Sequence, residues 1–356
     1  MSSAPHSSRA TPDPDLAAMR GMIRGFQLSV MLGKAAELDL ADRIAKGSRQ
    51  VSELAAEAGV QESALLRLCR ALAAFGVFAL DPDGRLSHTA RSGWLRRDAS
   101  PTLHHAARYW TMPSRWAAWG AFGHALHPGG CPFEALYGQP NFDYLRDHPD
   151  EAAIFNALMR HSPDDRHAAV AEVLDLSGVD LVVDVGGGDG GLLTALLKAN
   201  SRVSGLLYDR AHVVSGAPAV LAAAGVAVRC RVEAGDFFER VPDGGDVYIL
   251  CQVLHDWDDE RAGSILRKCR AAMASDTRLA VIERVLPELG HESSVTDPVD
   301  FLTDMHMMTV LSGRERTSGE FAELLTQAGL ESLEVLATRS PYHVVLARAT
   351  PAATAD

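Results

Sequence analysis

The stretch VVDVGGGDGG, residues 182–191, runs from a short apolar segment into a cluster of glycines, and the apolar sequence LLTALLKA follows it directly. A strand that exits through glycines into a helix lets the backbone approach a ligand closely, because no Cβ atom obstructs it. Gly186, Gly188 and Gly191 have the G-x-G-x-x-G spacing of dinucleotide-binding loops. A nicotinamide or flavin cofactor is therefore one interpretation of this loop.

Strand-like and helix-like segments alternate around this loop, from about residue 179 onwards. The predicted strands are residues 179–186, 203–209, 226–238, 246–254 and 278–286. Helices are predicted over 190–200, 217–225 and 259–274. The alternation predicts an α/β fold over residues 171–349: a doubly wound, Rossmann-like, largely parallel sheet with helices on both faces. Residues 350–356 are predicted to be a frayed tail.

The N-terminal part has a different pattern. Apolar residues recur at helical spacing over 15–46, and Gly47 ends this pattern. Two short helices around Gly59 and two strand-like segments around the turn DPDG, 81–84, form a winged helix-turn-helix pattern. We assign 1–14 to a disordered leader and 15–100 to this α-helical winged-helix domain. Residues 101–170 are predicted to be a helical, aromatic-rich linker that contributes to a substrate pocket.

A winged helix serves either DNA binding or packing and dimerisation. The second helix carries only Arg67 and Arg70 among its leucines, and the chain has 46 acidic against 34 basic residues, a net charge of −12. Because phosphate binding rests on Lys and Arg, we expect no nucleic-acid partner. The apolar helical segment at 16–46 instead predicts a homodimer, since such a face is rarely left in water.

The composition also limits where the protein acts. No apolar run approaches the roughly 20 residues of a membrane span, and the N-terminus lacks the apolar centre of a signal peptide. The five cysteines are scattered without a C-x-x-C pair, which is typical of thiols in a reducing compartment and not of a metal site. We expect a cytoplasmic protein with no membrane partner.

Carboxylates lie within or at the end of the first three predicted strands of the α/β part. Asp184 lies just before the glycine loop, where a negative charge disfavours pyrophosphate and suits a cationic sulfonium. Asp209 ends the second strand, where it can accept both hydroxyls of a ribose. Asp236 and Phe237 end the third, where an acceptor and a ring suit an adenine. Together these features favour S-adenosylmethionine over a dinucleotide.

The motifs VDVGGGDG, YD, GDFF, LHDWDDE, VIERVLPE and GRERTSGEF occur in this order and, with the winged helix, span nearly the whole chain. This set resembles the class I S-adenosylmethionine-dependent O-methyltransferases of the plant caffeate and bacterial polyketide type. The resemblance implies an interlocked homodimer that methylates a hydroxyl of a small aromatic compound. A polycyclic phenol or hydroxyquinone of secondary metabolism is the expected acceptor, and a simple phenylpropanoid is the alternative.

The resemblance also assigns site residues. His255 is implied as the general base, oriented by Glu283 and Glu315, while Gly186 and Gly188 form the cofactor loop. Cys251 stands where plant members carry a Lys, four residues before the histidine, and is assigned to the cofactor pocket. The residues assigned to the substrate pocket are Phe155, Met159, Asp256, Met305, His306 and Met308.

Several alternatives remain open on the residues alone. His255 could be a solvated loop residue, and Glu315, between Arg314 and Arg316, could be part of a solvated ion pair. An ordinary imidazole, with a pKa of about 6.5, is largely neutral at neutral pH and can accept a proton. Asp258 and Asp259 open a helix, where acidic residues interact well with the dipole, so we expect capping and no metal.

Three other functions compete with methyl transfer. A ligand-responsive winged-helix regulator is disfavoured by the acidic charge, and an NAD enzyme is disfavoured by Asp184. A member of the same family with non-methylating chemistry, hydroxylation or decarboxylation, is the third. Known members of that kind lack the histidine of the HDW motif, which is present here as His255.

Overall fold

The structure is a computed structural model that describes residues 13–128, 130–161, 165–291 and 297–350. The chain forms two compact units, one up to residue 113 and one from residue 114 onwards. The predicted leader and tail lie outside the described residues, apart from 13–14 and 350.

The first unit contains six helices and three short strands among its described residues. They are α1 (Pro14–Glu37), α2 (Leu40–Arg43), β1 (Arg49–Gln50), α3 (Val51–Ala58), α4 (Glu62–Ala74), β2 (Phe78–Leu80), β3 (Arg85–His88), α5 (Ala90–Gly93) and α6 (His104–Thr111). The strands form an antiparallel sheet in the order β1-β3-β2. The winged-helix pattern is confirmed: Gly59, with φ of 66°, ends α3, and the DPDG turn joins β2 to β3.

The predicted helix over 15–46 is divided in two. Asp13 caps α1 by accepting hydrogen bonds from the Asp15 and Leu16 amides. The helix ends before Asp39, whose φ of 52° is a left-handed conformation that a helix cannot continue through. The large apolar side chains of the first half of α1 are at least 49% exposed: Leu16, Met19, Met22, Ile23 and Phe26. This unit therefore presents an apolar helix face to its surroundings.

The second unit begins with helices. They are α7 (Pro113–Gly120), α8 (Pro132–Tyr137), α9 (Asn141–Asp147), α10 (Pro149–Arg160) and α11 (Arg166–Val173), with a 3₁₀ turn at Phe122–Leu126. The linker predicted over 101–170 is thus helical, but it is divided between the units, because α6 packs against α1 of the first unit.

The rest of the second unit is an α/β domain. Its strands are β4 (Leu181–Val185), β5 (Ser204–Asp209), β6 (Cys230–Ala234), β7 (Val247–Cys251), β8 (Arg278–Glu283), β9 (Val285–Leu286), β10 (Arg316–Thr317), β11 (Leu330–Ala337) and β12 (His343–Ala349). Its helices are α12 (Gly191–Ala199), α13 (Ala211–Val214), α14 (Ala217–Ala223), α15 (Asp259–Ala272), α16 (Pro298–Val310) and α17 (Ser318–Gln327), with 3₁₀ turns at Ala227–Arg229 and Leu254–Asp256.

The main sheet has seven strands in the order β11-β12-β8-β7-β4-β5-β6. The pairs from β8 to β6 are parallel, as predicted, and two apolar clusters of buried residues pack on the sheet. Two details differ from the prediction. The antiparallel hairpin of β11 and β12 was not predicted, and the strand expected over 226–238 covers only Cys230–Ala234.

The sheet brings the predicted site residues together at the carboxyl ends of its parallel strands. Parallel pairing places the carboxyl ends of β4, β5, β6, β7 and β8 side by side, and Asp209, Cys251 and Glu283 are the last residues of their strands. Ligands of doubly wound folds bind outside these ends. Among the described residues, no helix has both the length and the apolar character of a membrane span.

Gly33 allows α1 and α6 to approach closely, and this contact can be tested. An ideal Cβ at Gly33 would overlap the Thr111 hydroxyl and lie 2.7 Å from Thr111 Cβ. Gly33→Ala should lower the free energy of unfolding by about 1–3 kcal/mol, the usual cost of overpacking. Gly25→Ala is the control in the same helix, because no atom lies within 4 Å of its added Cβ. Equal urea-unfolding midpoints for the two variants would contradict the close contact.

Candidate active site

The glycine loop between β4 and α12 is held by backbone contacts. Gly186 and Gly188 have φ of 73° and 63°, a left-handed conformation that glycine adopts without strain. The Gly186 amide donates to the Tyr208 carbonyl at 2.8 Å, and the Gly188 amide donates to Asp209 Oδ2 at 2.9 Å. The end of β5 therefore fixes the loop that follows β4.

The aromatic and acidic groups predicted for the cofactor lie next to this loop. A Cβ at Gly186 would be 3.5 Å from the ring of Phe237 and 2.8 Å from Val253, so these side chains contact the loop. Asp209 and Asp236 are partly buried, and Asp236 Oδ1 accepts the Phe238 amide at 2.8 Å. Burial raises the pKa of Asp209, while the amides of Gly188 and Arg210 favour its ionised form.

Asp184 has a different position from the one predicted. Its side chain has no exposed surface and lies beneath the loop, where a Cβ on Gly187 would be 2.6 Å from Asp184 Oδ2. Burial and the nearby Asp209 raise the pKa of Asp184 to about 7. A direct contact between this carboxylate and a cationic ligand, as the sequence suggested, does not fit this geometry.

His255 is in the 3₁₀ turn that follows β7, and its ring is held by Glu315. The residue is 7% exposed, and its Nδ1 lies 2.9 Å from Glu315 Oε1 and 3.6 Å from Glu283 Oε2. Because a carboxylate only accepts, Nδ1 carries the proton and donates it to Glu315. The solvated-loop interpretation of His255 and the solvated ion pair at Glu315, which is 2% exposed, are both excluded.

Glu283 holds the backbone of the same turn. Its Oε1 accepts the amides of Val253, Leu254 and His255 at 3.0, 2.9 and 3.4 Å. The sequence assigned both glutamates to the orientation of the ring. In the structure, Glu315 forms a hydrogen bond with the imidazole, whereas Glu283 accepts hydrogen bonds from the turn that carries it.

The acidic neighbours of His255 change its proton affinity. Burial lowers the pKa of the imidazole, but the charges of Glu283, Glu315 and Asp256 raise it by more, to about 10. The expectation of an ordinary pKa was therefore wrong, because it did not account for three nearby carboxylates. Burial in turn raises the pKa of Asp256, whose Oδ1 lies 3.4 Å from His255 Nε2, to about 7.

The residues assigned to the substrate pocket lie on two helices and beside the base. Phe155 and Met159 are partly buried on α10, and Met305, His306 and Met308 are on α16. Trp119 donates its Nε1–H to His306 Nδ1 at 3.2 Å, and the two rings are nearly parallel. Burial, Arg115 and His255 lower the pKa of His306 to about 3, so its ring is neutral.

Cys251 and the aspartates that follow His255 also lie at the carboxyl end of the sheet. Cys251 ends β7 and is partly buried; none of the five cysteines, all of which are described, forms a disulfide. Asp258 caps α15 by accepting the Arg261 amide at 2.8 Å, as predicted. Asp259 instead accepts hydrogen bonds from Arg316, a residue that the sequence analysis did not select. The sequence signal that could have identified Arg316 was its position directly after Glu315.

Known protein families match both units. The O-methyltransferase domain matches residues 119–331, and the O-methyltransferase dimerisation domain matches residues 21–98. The chain belongs to the O-methyltransferase family. This methyltransferase uses S-adenosylmethionine as its methyl donor, in agreement with the predicted fold, cofactor and activity.

Three relatives show how far the similarity extends. O-demethylpuromycin-O-methyltransferase of Streptomyces alboniger is 38% identical over 316 residues, which cover 88% of this chain and 83% of the relative. Phenazine O-methyltransferase PhzM of Lysobacter antibioticus is 36% identical over 342 residues, 96% of this chain and 98% of the relative. NcsB1, an O-methyltransferase from neocarzinostatin biosynthesis, was solved with S-adenosylmethionine and 2-hydroxy-5-methyl naphthoic acid. It is 32% identical, covers 90% of this chain and 96% of its own, and has a TM-score of 0.79.

The contact between Asp209 and the glycine loop leads to a prediction on cofactor binding. Asp209→Ala removes both the acceptor expected for the ribose and the anchor of the Gly188 amide, so calorimetry should show markedly weaker binding of S-adenosylhomocysteine. Asp276→Ala, at an exposed turn residue, is the control and should bind as the wild type does. Unchanged affinity in Asp209→Ala would remove Asp209 from the cofactor site.

Proposed function

We propose that this methyltransferase acts on a phenolic or quinone-type hydroxyl of a small, polycyclic aromatic metabolite, with His255 as the general base. The observation that carries the proposal is the hydrogen bond from His255 Nδ1 to Glu315, because it leaves Nε2 as the nitrogen that can accept a proton. A screen of labelled methyl transfer to a panel of polycyclic phenols, with simple phenylpropanoids alongside, tests it.

The proposed chemistry needs little from the protein beyond placement. S-adenosylmethionine supplies a methyl group that is already activated as a sulfonium. The chain must hold the acceptor oxygen in line with it, and orientation can contribute roughly 7–11 kcal/mol. We assign Gly186 and Gly188 to the contact with the methionine part, Asp209 to the ribose, and Asp236 with Phe237 to the adenine. Cys251, the last residue of β7, is assigned to the same pocket.

The acidity of His255 suits a phenol. A phenol has a pKa of about 10, and the carboxylates raise the pKa of His255 well above that of a free imidazole. The raised pKa makes the neutral imidazole a stronger base, so it can take the proton of the acceptor. Because the base is active only in its neutral form, turnover should rise with pH through the neutral range.

The aromatic substrate is supported by the side chains of α10 and α16 and by the relatives. Trp119, Phe122 and His306 form a stack of nearly parallel rings, and methionines on α16 offer an adaptable apolar wall. Two of the relatives are named for O-demethylpuromycin and phenazine, and the third was solved with 2-hydroxy-5-methyl naphthoic acid. An origin in antibiotic biosynthesis is our proposal for this enzyme too.

We also propose that the reaction needs no metal. His255, Glu283 and Glu315 each have a ligand atom within 4.8 Å of the others, which is close enough to hold an ion. However, Glu283 Oε1 is engaged by three amides, and the Nδ1–H of His255 is engaged by Glu315. Chelators should therefore leave turnover unchanged.

The apolar face of α1 supports a homodimer as the working form of the enzyme. The face belongs to the unit that matches the dimerisation domain of the family.

We further place the enzyme in the cytoplasm. Its cysteines are free thiols, among them the buried Cys69 and Cys269, and free thiols suit a reducing compartment.

Removal of the base should lower turnover without affecting the cofactor. His255→Ala should reduce kcat by roughly 10²–10⁴ at neutral pH, the usual contribution of a general base, with unchanged S-adenosylhomocysteine affinity. The loss should shrink as the pH approaches the acceptor's own pKa, since the substrate then arrives ionised. Wild-type turnover of His255→Ala near neutral pH would show that the enzyme has no need of this base.

Glu315→Gln tests the orientation of the ring and should cost less than His255→Ala. It removes one of the charges that raise the pKa of His255, so the rise of turnover with pH should move to lower pH. A pH profile identical to the wild type would contradict a role for Glu315 in the acidity of the base.

The dimer can be tested through the exposed face of α1. Light scattering should give about twice the 38.2 kDa chain mass. Replacement of Met22 and Ile23, 74% and 69% exposed in one chain, by Glu should give a folded monomer, because charges are costly in an apolar interface. A monomeric wild type at micromolar concentration would disprove the dimer.

A further inference from the structure

Arg316 is a buried arginine whose side chain contacts the segment that carries the base. It is 1% exposed, and its guanidinium donates to the carbonyls of Leu254 at 3.0 Å and Trp257 at 2.9 Å. Two further hydrogen bonds, of 3.0 and 2.8 Å, go to Asp259 Oδ1. The two carbonyls are on either side of His255 and Asp256.

The neighbours of Arg316 in sequence contact the same segment. The Arg314 amide donates to the His255 carbonyl at 2.9 Å. A Cβ on Gly313 would overlap that carbonyl and lie 2.6 Å from the Asp256 carbonyl carbon, so only glycine fits there. Glu315 bonds the imidazole itself. Four consecutive residues, 313–316, therefore contact the turn or the ring that it carries.

The contacts of Glu283 and Arg316 complement each other electrostatically. The short turn Leu254–Asp256 leaves amides without intrahelical partners at its start, as any short helix does. The anionic Glu283 accepts three of these amides, and the cationic Arg316 donates to the carbonyls of Leu254 and Trp257. The segment is thus held by an anion through its amides and by a cation through two of its carbonyls.

We infer that Arg316 is a positioning residue for the methyl transfer: it fixes the Leu254–Asp256 turn and, through it, the direction of His255 Nε2. The inference rests on the proposed role of His255 as the base. Arg316 does not act on the charge of the imidazole, which is set by the three carboxylates. Its planar fork joins two carbonyls and a carboxylate at once, and a lysine cannot reproduce this geometry.

Arg316→Lys keeps the charge and removes the fork. It should lower kcat by roughly 10²-fold, the effect that a displacement of about 1 Å can have, with little change in KM for S-adenosylmethionine. Arg229→Lys is the matched control. Arg229 also bonds backbone carbonyls, those of Leu197, Asn200 and Val203, but it lies at the amino end of β6, away from the site. This control should turn over as the wild type does.

The double variant separates positioning from a general loss of structure. In a His255→Ala background, Arg316→Lys should cause no further loss of kcat, because there is no base left to position. An equal loss in both backgrounds would overturn the inference. If His255→Ala alone had wild-type turnover, the proposed base would be wrong and the inference would fail with it; a lowered kcat in His255→Ala with an equal further loss from Arg316→Lys would overturn the inference alone.

Asp259→Asn provides a second route should Arg316→Lys fail to fold. The Asp259 side chain is 58% exposed, so its replacement is tolerable for folding, yet it removes the carboxylate that anchors the guanidinium. We expect a smaller loss of kcat that again disappears in the His255→Ala background. Full activity of Asp259→Asn, or a loss that persists without His255, would overturn the positioning role.

Discussion

The buried carboxylate of Glu283 is the constraint on which the arrangement of the proposed active site depends. It ends β8, in the interior of the sheet between β12 and β7, and has no exposed surface. An ionised carboxylate in such a place costs several kcal/mol unless its oxygens are bonded and its charge is matched. Three amides bond Oε1, and the imidazole lies 3.6 Å from Oε2, where its charge offsets that of the carboxylate. The need to compensate the buried charge of Glu283 thereby fixes the positions of the Leu254–Asp256 turn and of His255.

This arrangement has a chemical consequence. An imidazole that compensates buried carboxylates is stabilised in its charged form, so it is a stronger base than a free histidine but is less often neutral at neutral pH. A phenolic acceptor, which gives up its proton at a similar pH, matches such a base.

The sequence predicted those parts of the fold that depend on local pattern. The five parallel strands followed from apolar runs between helices, and Asp209 was found because it ends one of them, whereas Glu283 was assigned through the family resemblance. The β11–β12 hairpin was missed because β11 is an exposed edge strand without clean alternation, although Val344–Leu346 in β12 is an apolar run. The raised pKa of His255 and the burial of Arg316 were not predictable. Both depend on groups 28 to 62 positions away in sequence that meet only in the fold.

The division between sheet and helices explains why the chemistry can be inferred more closely than the acceptor. The residues proposed for the cofactor and the base lie at or just beyond strand ends, whose relative positions are fixed by backbone pairing over the whole sheet. Apart from Asp256, the residues assigned to the acceptor lie on α10 and α16, which are held by side-chain contacts such as the hydrogen bond from the Glu315 amide to Asp304 of α16. The assignment of the cofactor and the base therefore rests on the order of the sheet, while the choice of acceptor rests on the side chains of α10 and α16.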